Sequence, residues 1–226
     1  ESGPLQVSDQ PKPLRVSKAF IESAASLQLP VNDDFNGPEQ EGFGLAQVTH
    51  FYNGLRKGER CSVAAAYLSP VKKQKNLKVE TSARVTQIEV SDGEATAVLF
   101  KKGRKAYRIE ASREIILSAG ALQSPQILLL SGIGPAQELK RHNIKICQDL
   151  PGVGQNLQDH LDIVINYKSG DTSLMGLGFA TLWNLPKAMY EWWARGEGLV
   201  ASPLAEACGF IKSRSEMERP DLQMHF

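Results

Sequence analysis

The stretch Gly120–Gly134 reads GALQSPQILLLSGIG and is the part of the sequence that best indicates the architecture. The short apolar run 113–118 precedes it and predicts a buried strand. Ser124 followed by Pro125 predicts a helix start, because the first turn of a helix leaves its N–H groups unpaired and proline lacks one. Strand, tight turn and helix in this order are typical of the ligand-binding edge of an α/β sheet. Alternatively, the small residues of the turn only permit close packing of helix on strand.

Composition narrows the classes of protein to which the chain can belong. The 226 residues are 42% apolar and carry a net charge of +1, which is ordinary for a globular protein and gives no reason to expect a nucleic-acid partner. Three cysteines and four histidines lie far apart, so we expect neither a disulfide framework nor a metal site. The uncharged run 115–136 is long enough to span a bilayer, but its proline, glutamines and glycines argue against a transmembrane segment.

Periodicity along the rest of the chain predicts mixed α and β structure. Ser17 is a candidate helix N-cap, and Pro30 is expected to end that helix. Pro186 is expected to break a second, aromatic-rich helix. Other helices are predicted at 62–68 and 135–142, a loop at 32–44, and strands at 77–79, 85–90, 95–100, 106–110, 144–147, 160–167, 206–211 and 222–226.

The stretch Gly120–Gly134 resembles the second signature of the glucose–methanol–choline flavoprotein family. That signature constrains small residues, a Ser/Thr-Pro pair, two aliphatics and a final Ser-Gly-aliphatic-Gly. Chance agreement at all of these positions is rare, on the order of one in a million for average composition. Every constrained position matches: Gly120, Ala121, Ser124, Pro125, Ile127, Leu128, Ser131, Gly132, Ile133 and Gly134.

Further matches to this family cover nearly the whole chain. They are Gly3–Ser8, Gly58–Pro70 with its G-x-R-x-S start, Asn76–Val85, the sequence DLPGVGQNLQDH at Asp149–His160, and Pro220–Phe226. Among relatives, the bacterial choline and aliphatic-alcohol dehydrogenases are the most similar in these stretches.

The resemblance implies an α+β fold. It predicts part of an α/β-type FAD-binding domain, together with part of a substrate domain that has an antiparallel sheet and covering helices. On this basis residues 1–45 hold the start of the substrate domain and a loop, 46–155 belong to the FAD-binding domain, and 156–226 belong to the substrate-binding domain.

The same resemblance implies a set of cofactor-binding residues. Val85 would hold the adenine through its backbone, although strand core is an equally compatible role. The turn at Ala119 would lie near the adenosine. Asn156 and its motif neighbours would hydrogen-bond the junction of the two domains, or contact the flavin directly. The complete predicted set is Val85, Ala119, Gly120, Asn156, Asp159 and His160.

Glu206 is the candidate substrate-binding residue. In choline-oxidising relatives the matching position lines the substrate cavity, where a carboxylate can pair with a quaternary ammonium, with an aromatic such as Trp193 nearby. The alternative is a glutamate that is exposed or paired for structural reasons. The pair Trp192-Trp193 suits helix packing better than a cation cage, because adjacent helical residues face different directions.

Two family features have no match in this sequence. No Gly-x-Gly-x-x-Gly is present, and no histidine matches the family's catalytic position, which we expect beyond residue 226. We therefore expect the chain by itself to hold FAD weakly and not to turn over.

The resemblance implies a fragment of an enzyme that oxidises the CH–OH group of choline or a primary aliphatic alcohol by hydride transfer to FAD, with oxygen or a quinone as acceptor. The alternatives are a non-catalytic remnant that binds another protein, and an FAD-containing lyase of the same family. Cysteine usage favours a cytoplasmic location, with peripheral membrane association as the alternative.

Overall fold

The computed structural model describes residues 3–171, 179–203 and 205–226. Its α-helices are α1 (Arg15–Ser26), α2 (Ser69–Val71), α3 (Gly120–Leu130), α4 (Ala136–Arg141) and α5 (Phe179–Arg195). A 3-10 turn at Gly54–Arg56 and a π-helical turn at Ala64–Leu68 precede α2. The strands are β1 (Gly42–Leu45), β2 (Arg84–Ser91), β3 (Glu94–Lys102), β4 (Lys105–Glu110), β5 (Ile133–Gly134), β6 (Gln148–Asp149), β7 (Ala207–Ile211) and β8 (Leu222–His225). This is a mixed α+β chain with small sheets.

The chain forms two compact units. The first joins Glu1–Leu77 to Tyr167–Phe226, and the second is Lys78–Asn166. The predicted boundaries at 45/46 and 155/156 differ from this division. Residues 46–77 join the first unit because the Ala46 N–H donates to the Glu206 carbonyl at 2.9 Å and Ser8 pairs with Val48. Which segments serve cofactor and which serve substrate stays a prediction.

An antiparallel sheet organises the first unit, with β7 between β1 and β8. Helix α1 covers it, and Phe20 carries the contact: its ring meets Phe43 edge-on at 5.5 Å and stacks on Phe226 at 4.5 Å. The Phe43 ring lies against the backbone of β7, where a Cβ on Gly209 would stand 2.5 Å from it. Only glycine fits there without displacing the ring.

The second unit is built on the antiparallel meander β2-β3-β4. The strands predicted at 95–100 and 106–110 are confirmed as β3 and β4, which form a hairpin around the turn at Gly103. Helix α3 packs on β2 through Ser131, whose Oγ accepts from the Ile88 N–H at 2.8 Å and donates to the Ile127 carbonyl at 2.6 Å. Strands β5 and β6 form a short parallel pair beside α3.

Three helix predictions were wrong in detail. Ser17 is not the N-cap of α1; Leu14 is, and the Ser17 hydroxyl points to a buried carboxylate instead. Helix α3 begins before Ser124, and Pro125 lies inside it. The Ser124 Oγ accepts from the Ala119 N–H at 3.0 Å, so it supports the start of the helix from within. Pro186 likewise lies inside α5, which continues to Arg195.

Four strand predictions were also wrong. Within the described residues, segments 77–79, 113–118 and 160–167 join no sheet, and a strand needs a neighbouring ladder of hydrogen bonds. The strand expected at 144–147 is shorter and later, at β6. The predicted loop 32–44 overlaps β1. Two of the four residues of β1 are glycines, which are uncommon in strands, so the sequence GFGL did not predict one.

Candidate cofactor and substrate sites

A groove of about 860 Å³ lies in the second unit between α3 and the loop 152–158. Its walls are mainly apolar, and its polar groups come from both sides. Its lining includes Ser124, Pro125 and Leu129 from α3, and Gly154, Asn156 and Leu157 from the loop.

The end of the signature explains why the loop returns to α3. Gly132 has φ +81°, and a Cβ there would overlap the Lys145 carbonyl oxygen, so glycine is required where the chain turns back. The Leu150 N–H then donates to the Gly134 carbonyl at 3.1 Å, and Asp149 Oδ1 accepts from the Ala136 N–H at 2.9 Å. These bonds hold the following loop against the helix.

The N-terminal end of α3 is open to a flat ligand. Gly120 has φ +85°, and a Cβ built there would meet no atom within 4 Å. Ser124 lines the groove one turn further on, and within the described residues its hydroxyl hydrogen has no recorded acceptor. An exposed backbone, a free O–H donor and apolar walls fit a planar ring system that carries polar groups. Sequence reasoning assigned Ser124 to helix capping and missed it as a groove residue.

The structure brings some of the predicted cofactor residues together. Asn156, with φ +57°, lines the groove, and Ala119 and Gly120 adjoin it at the start of α3. Asp159 and His160 follow the groove in sequence and are exposed, with Asp159 Oδ1 accepting from the His160 N–H at 2.8 Å.

Val85 lies on β2 opposite Phe100, next to a register shift that interrupts the ladder. The bulge leaves backbone groups near Val85 outside the regular pairing, which suits a backbone contact. No recorded contact joins Val85 to the start of α3 among the described residues. The roles of all six residues stay predictions.

Glu206 lies in the first unit and is only 2% exposed. Its Oε2 accepts from the Leu14 N–H at 2.6 Å and from the Ser17 hydroxyl at 2.7 Å, and its Oε1 accepts from the Ser202 hydroxyl. A buried carboxylate is tolerated when donors of this kind replace water. The side chain therefore ties the start of α1 to the segment before β7.

The space beside the Glu206 carboxylate is small. A cavity of about 10 Å³ lies between it, Gln10 and Ser202, which is about the room that one water requires. A larger cleft of about 730 Å³ is lined by His50, Arg60 and Ser202 but not by Glu206. This geometry favours the structural alternative for Glu206, and its binding of substrate stays a prediction.

Two basic residues, His50 and Arg60, line the larger cleft. His50 faces Arg60 across an isolated antiparallel bridge. Burial, and then the nearby Arg60 charge, lower the pKa of His50. Trp192 closes one side of the cleft by donating its indole N–H to the Gly58 carbonyl at 3.1 Å, whereas Trp193 is exposed. Opposite orientations of these two tryptophans were expected from helix geometry.

Comparisons with known proteins agree with the resemblance found in the sequence. The sequence profile of the GMC oxidoreductase family matches residues 2–162. The chain is 38% identical over 226 residues to an alcohol dehydrogenase [acceptor] of Pseudomonas putida, covering 99% of this chain and 40% of that protein. It is 42% identical over 209 residues to an oxygen-dependent choline dehydrogenase of Pectobacterium atrosepticum, covering 92% of this chain and 36% of that protein.

A solved structure has the same fold over nearly all of the chain. It is an FAD-dependent oxidoreductase from Chaetomium thermophilum, with a TM-score of 0.77 and 27% identity, and the match covers 93% of this chain and 37% of that one. The chain thus spans about two fifths of the length of the proteins it matches. With the family profile matched over most of its residues, the chain belongs to the GMC oxidoreductase family.

Proposed function

We propose that the whole protein oxidises the CH–OH group of an alcohol and uses FAD to do so. The observation that carries this proposal is the matched signature Gly120–Gly134, which forms one wall of a groove suited to a flat ligand. The names of the relatives, alcohol dehydrogenase and choline dehydrogenase, support the substrate class. When bound, FAD supplies the acceptor for the hydride that leaves the alcohol carbon.

The residues of this chain would bind and orient the cofactor. The exposed backbone at Ala119 and Gly120 would take the adenosine, with the Ser124 hydroxyl as a hydrogen-bond donor beside it. The backbone of Val85 would hold the adenine edge. Asn156, Asp159 and His160 would hydrogen-bond near the flavin, and Leu129 would contribute an apolar wall of the groove.

Between the two alcohol classes, the geometry around Glu206 favours a neutral primary alcohol over choline. Both carboxylate oxygens already accept hydrogen bonds, from Leu14, Ser17 and Ser202. The space beside the carboxylate is only about 10 Å³, so a quaternary ammonium would have to displace a neighbour such as Ser202, and it has no donor with which to replace that hydrogen bond. Choline remains the second candidate, because the chain is 42% identical to a choline dehydrogenase over 209 residues.

A dye-linked dehydrogenase assay of the whole protein tests both statements. The expected result is reduction of the dye with a neutral primary alcohol and not with choline. Assays with oxygen and with a quinone would then identify the natural acceptor. Glu206→Gln separates the two roles of this residue: loss of choline binding alone would indicate an ammonium site, whereas equal effects on all substrates indicate a structural one. A protein that contains FAD but reduces no acceptor with any alcohol would favour the lyase alternative. A folded protein without FAD would favour the protein-binding remnant.

A further inference from the structure

Gly134, the last glycine of the signature, lies directly behind one wall of the groove in the second unit. The groove is lined by Leu129, Val153 and Gly154 but not by Gly134, which is buried. A Cβ built on Gly134 would overlap the Cδ2 methyl group of Leu129, and it would stand 3.8 Å from the Cβ of Val153. The Leu129 side chain therefore separates Gly134 from the groove.

Two glycines make room for this leucine. Its Cδ2 methyl group takes the space that a side chain at Gly134 would fill, and its Cδ1 methyl group would lie 3.6 Å from a Cβ built on Gly154. Leu129 is half-buried, so one side of it contacts the chain near these glycines and the other side is open to the groove.

Helix α3 lies in the uncharged run 115–136, and no helix in the described part of the chain is long and apolar enough to cross a bilayer. The side chains of α3 divide between two surfaces. Ile127 and Ser131 are buried, and Ser131 bonds to Ile88 of β2. At 100° per residue, both lie about 160° around the helix from Leu129. A displaced Leu129 side chain therefore moves towards the groove and not into the sheet.

We propose that Gly134 is a positioning residue for FAD, because it keeps the Leu129 side chain withdrawn from the groove. This inference rests on the proposed function, which places FAD there. Carbon atoms pack at about 3.5–4 Å, so a methyl group at Gly134 would push the Leu129 methyl group by on the order of 1 Å into the space of a bound ring system. Close-packed sites have little spare volume to absorb such a shift.

A purely structural role for Gly134 makes a different prediction. Its carbonyl accepts from the Leu150 N–H at 3.1 Å, and its strand pairs with β6. Alanine keeps both of these backbone contacts. The overlap falls on the flexible end of one side chain, so the fold can accommodate alanine when Leu129 moves. The main effect of the substitution should therefore appear in the affinity for FAD.

Titration of the whole apoprotein with FAD, followed by flavin fluorescence, tests the inference. Gly134→Ala should raise the dissociation constant by about tenfold or more. Leu129→Ala removes the displaced methyl group, so the double variant should bind FAD within about threefold of Leu129→Ala alone. Leu129→Phe should weaken binding without any change at Gly134, because the larger ring has room only on the groove side.

A matched control lies in the same unit. Ala97 is fully buried on β3 and does not line the groove, so Ala97→Val should lower stability in urea and leave the affinity for FAD unchanged. Circular dichroism of each variant establishes that the fold is retained. If Gly134→Ala does not fold, Leu129→Phe decides the question, and an unchanged affinity in that variant overturns the inference.

Two further results would overturn the inference and leave the proposed function intact. One is equal affinity of Gly134→Ala and the wild type for FAD. The other is a loss of affinity in Gly134→Ala that Leu129→Ala does not reverse. A folded wild-type protein that binds no FAD would instead overturn the proposed function, and this inference with it.

Discussion

Glu206 offers the sharpest test of how the first unit is held together. Replacing it with alanine removes the acceptor for the Leu14 N–H and for two hydroxyls, those of Ser17 and Ser202. The hydroxyls can rotate towards other acceptors, but the backbone N–H cannot. An unpaired buried donor costs about 1–3 kcal/mol. The cavity and the weakened hydroxyl bonds bring our estimate for Glu206→Ala to about 3–5 kcal/mol.

Glu206→Gln should cost less, about 1–2 kcal/mol. Its amide oxygen can still accept from Leu14 and Ser17, and its NH₂ can donate to the Ser202 oxygen once that hydroxyl turns. A loss of unfolding free energy that is clearly larger for alanine than for glutamine would therefore indicate that the hydrogen bonds of Glu206 stabilise the unit.

Urea unfolding monitored by tryptophan fluorescence measures both effects. The three tryptophans of residues 1–226, Trp183, Trp192 and Trp193, lie in the first unit, so the fluorescence of a protein made of these residues reports that unit. For a slope of about 2 kcal/mol per molar urea, the alanine variant should shift the midpoint by about 2 M. The exposed Glu22 on α1 provides the control, since Glu22→Ala should stay within about 0.5 kcal/mol of wild type. A loss below about 1 kcal/mol for Glu206→Ala, or equal losses for alanine and glutamine, would refute this reasoning.

Three further predictions concern other contacts. Ser131→Ala leaves the buried Ile88 N–H unpaired and should destabilise the second unit by about 1–3 kcal/mol in denaturation followed by circular dichroism; a neutral result would contradict the contact. Gly209→Ala forces a Cβ to within 2.5 Å of the Phe43 ring and should lower the melting temperature, at a cost of about 1–3 kcal/mol; unchanged melting would mean that the ring is free to move. Hydrogen bonds from Lys102 and then Lys78 lower the pKa of Glu80 to about 2, so their stabilising contribution is present above the ordinary glutamate pKa of 4.5 and is lost as pH falls towards 2. In an NMR titration, Lys102→Gln should bring the pKa of Glu80 back towards that ordinary value, and an unmoved pKa would be evidence against the pair.

The sequence predicted those parts of the fold that depend on local patterns. The β3–β4 hairpin follows from alternating side chains around a Gly103 turn, β7 from an apolar run of strand length, and β8 from its alternation of apolar and polar residues. Segments 113–118 and 160–167 have the same local pattern but no ladder partner among the described residues. A strand pattern states a preference, and the hydrogen-bonding neighbour decides whether a sheet forms.

The candidate sites depend more on distant contacts. The signature identified the family, since its constraints are local in sequence, and the resemblance then pointed to Ala119 and Gly120, whose roles stay predictions. The environment of Glu206 was not predictable, because its donor Ser17 lies 189 residues away and had a plausible local role as a helix cap. Ser124 was likewise assigned to capping, and only the return of the loop 152–158 makes it part of a groove.

We propose that these residues belong to a flavoprotein that oxidises alcohols. The most direct measurement is the absorbance spectrum of the purified whole protein without oxygen, before and after a primary alcohol or choline is added. We predict a flavin spectrum that bleaches on addition of the alcohol. A flavin spectrum that no alcohol changes would contradict alcohol oxidation, and a folded protein with no flavin would contradict the cofactor assignment itself.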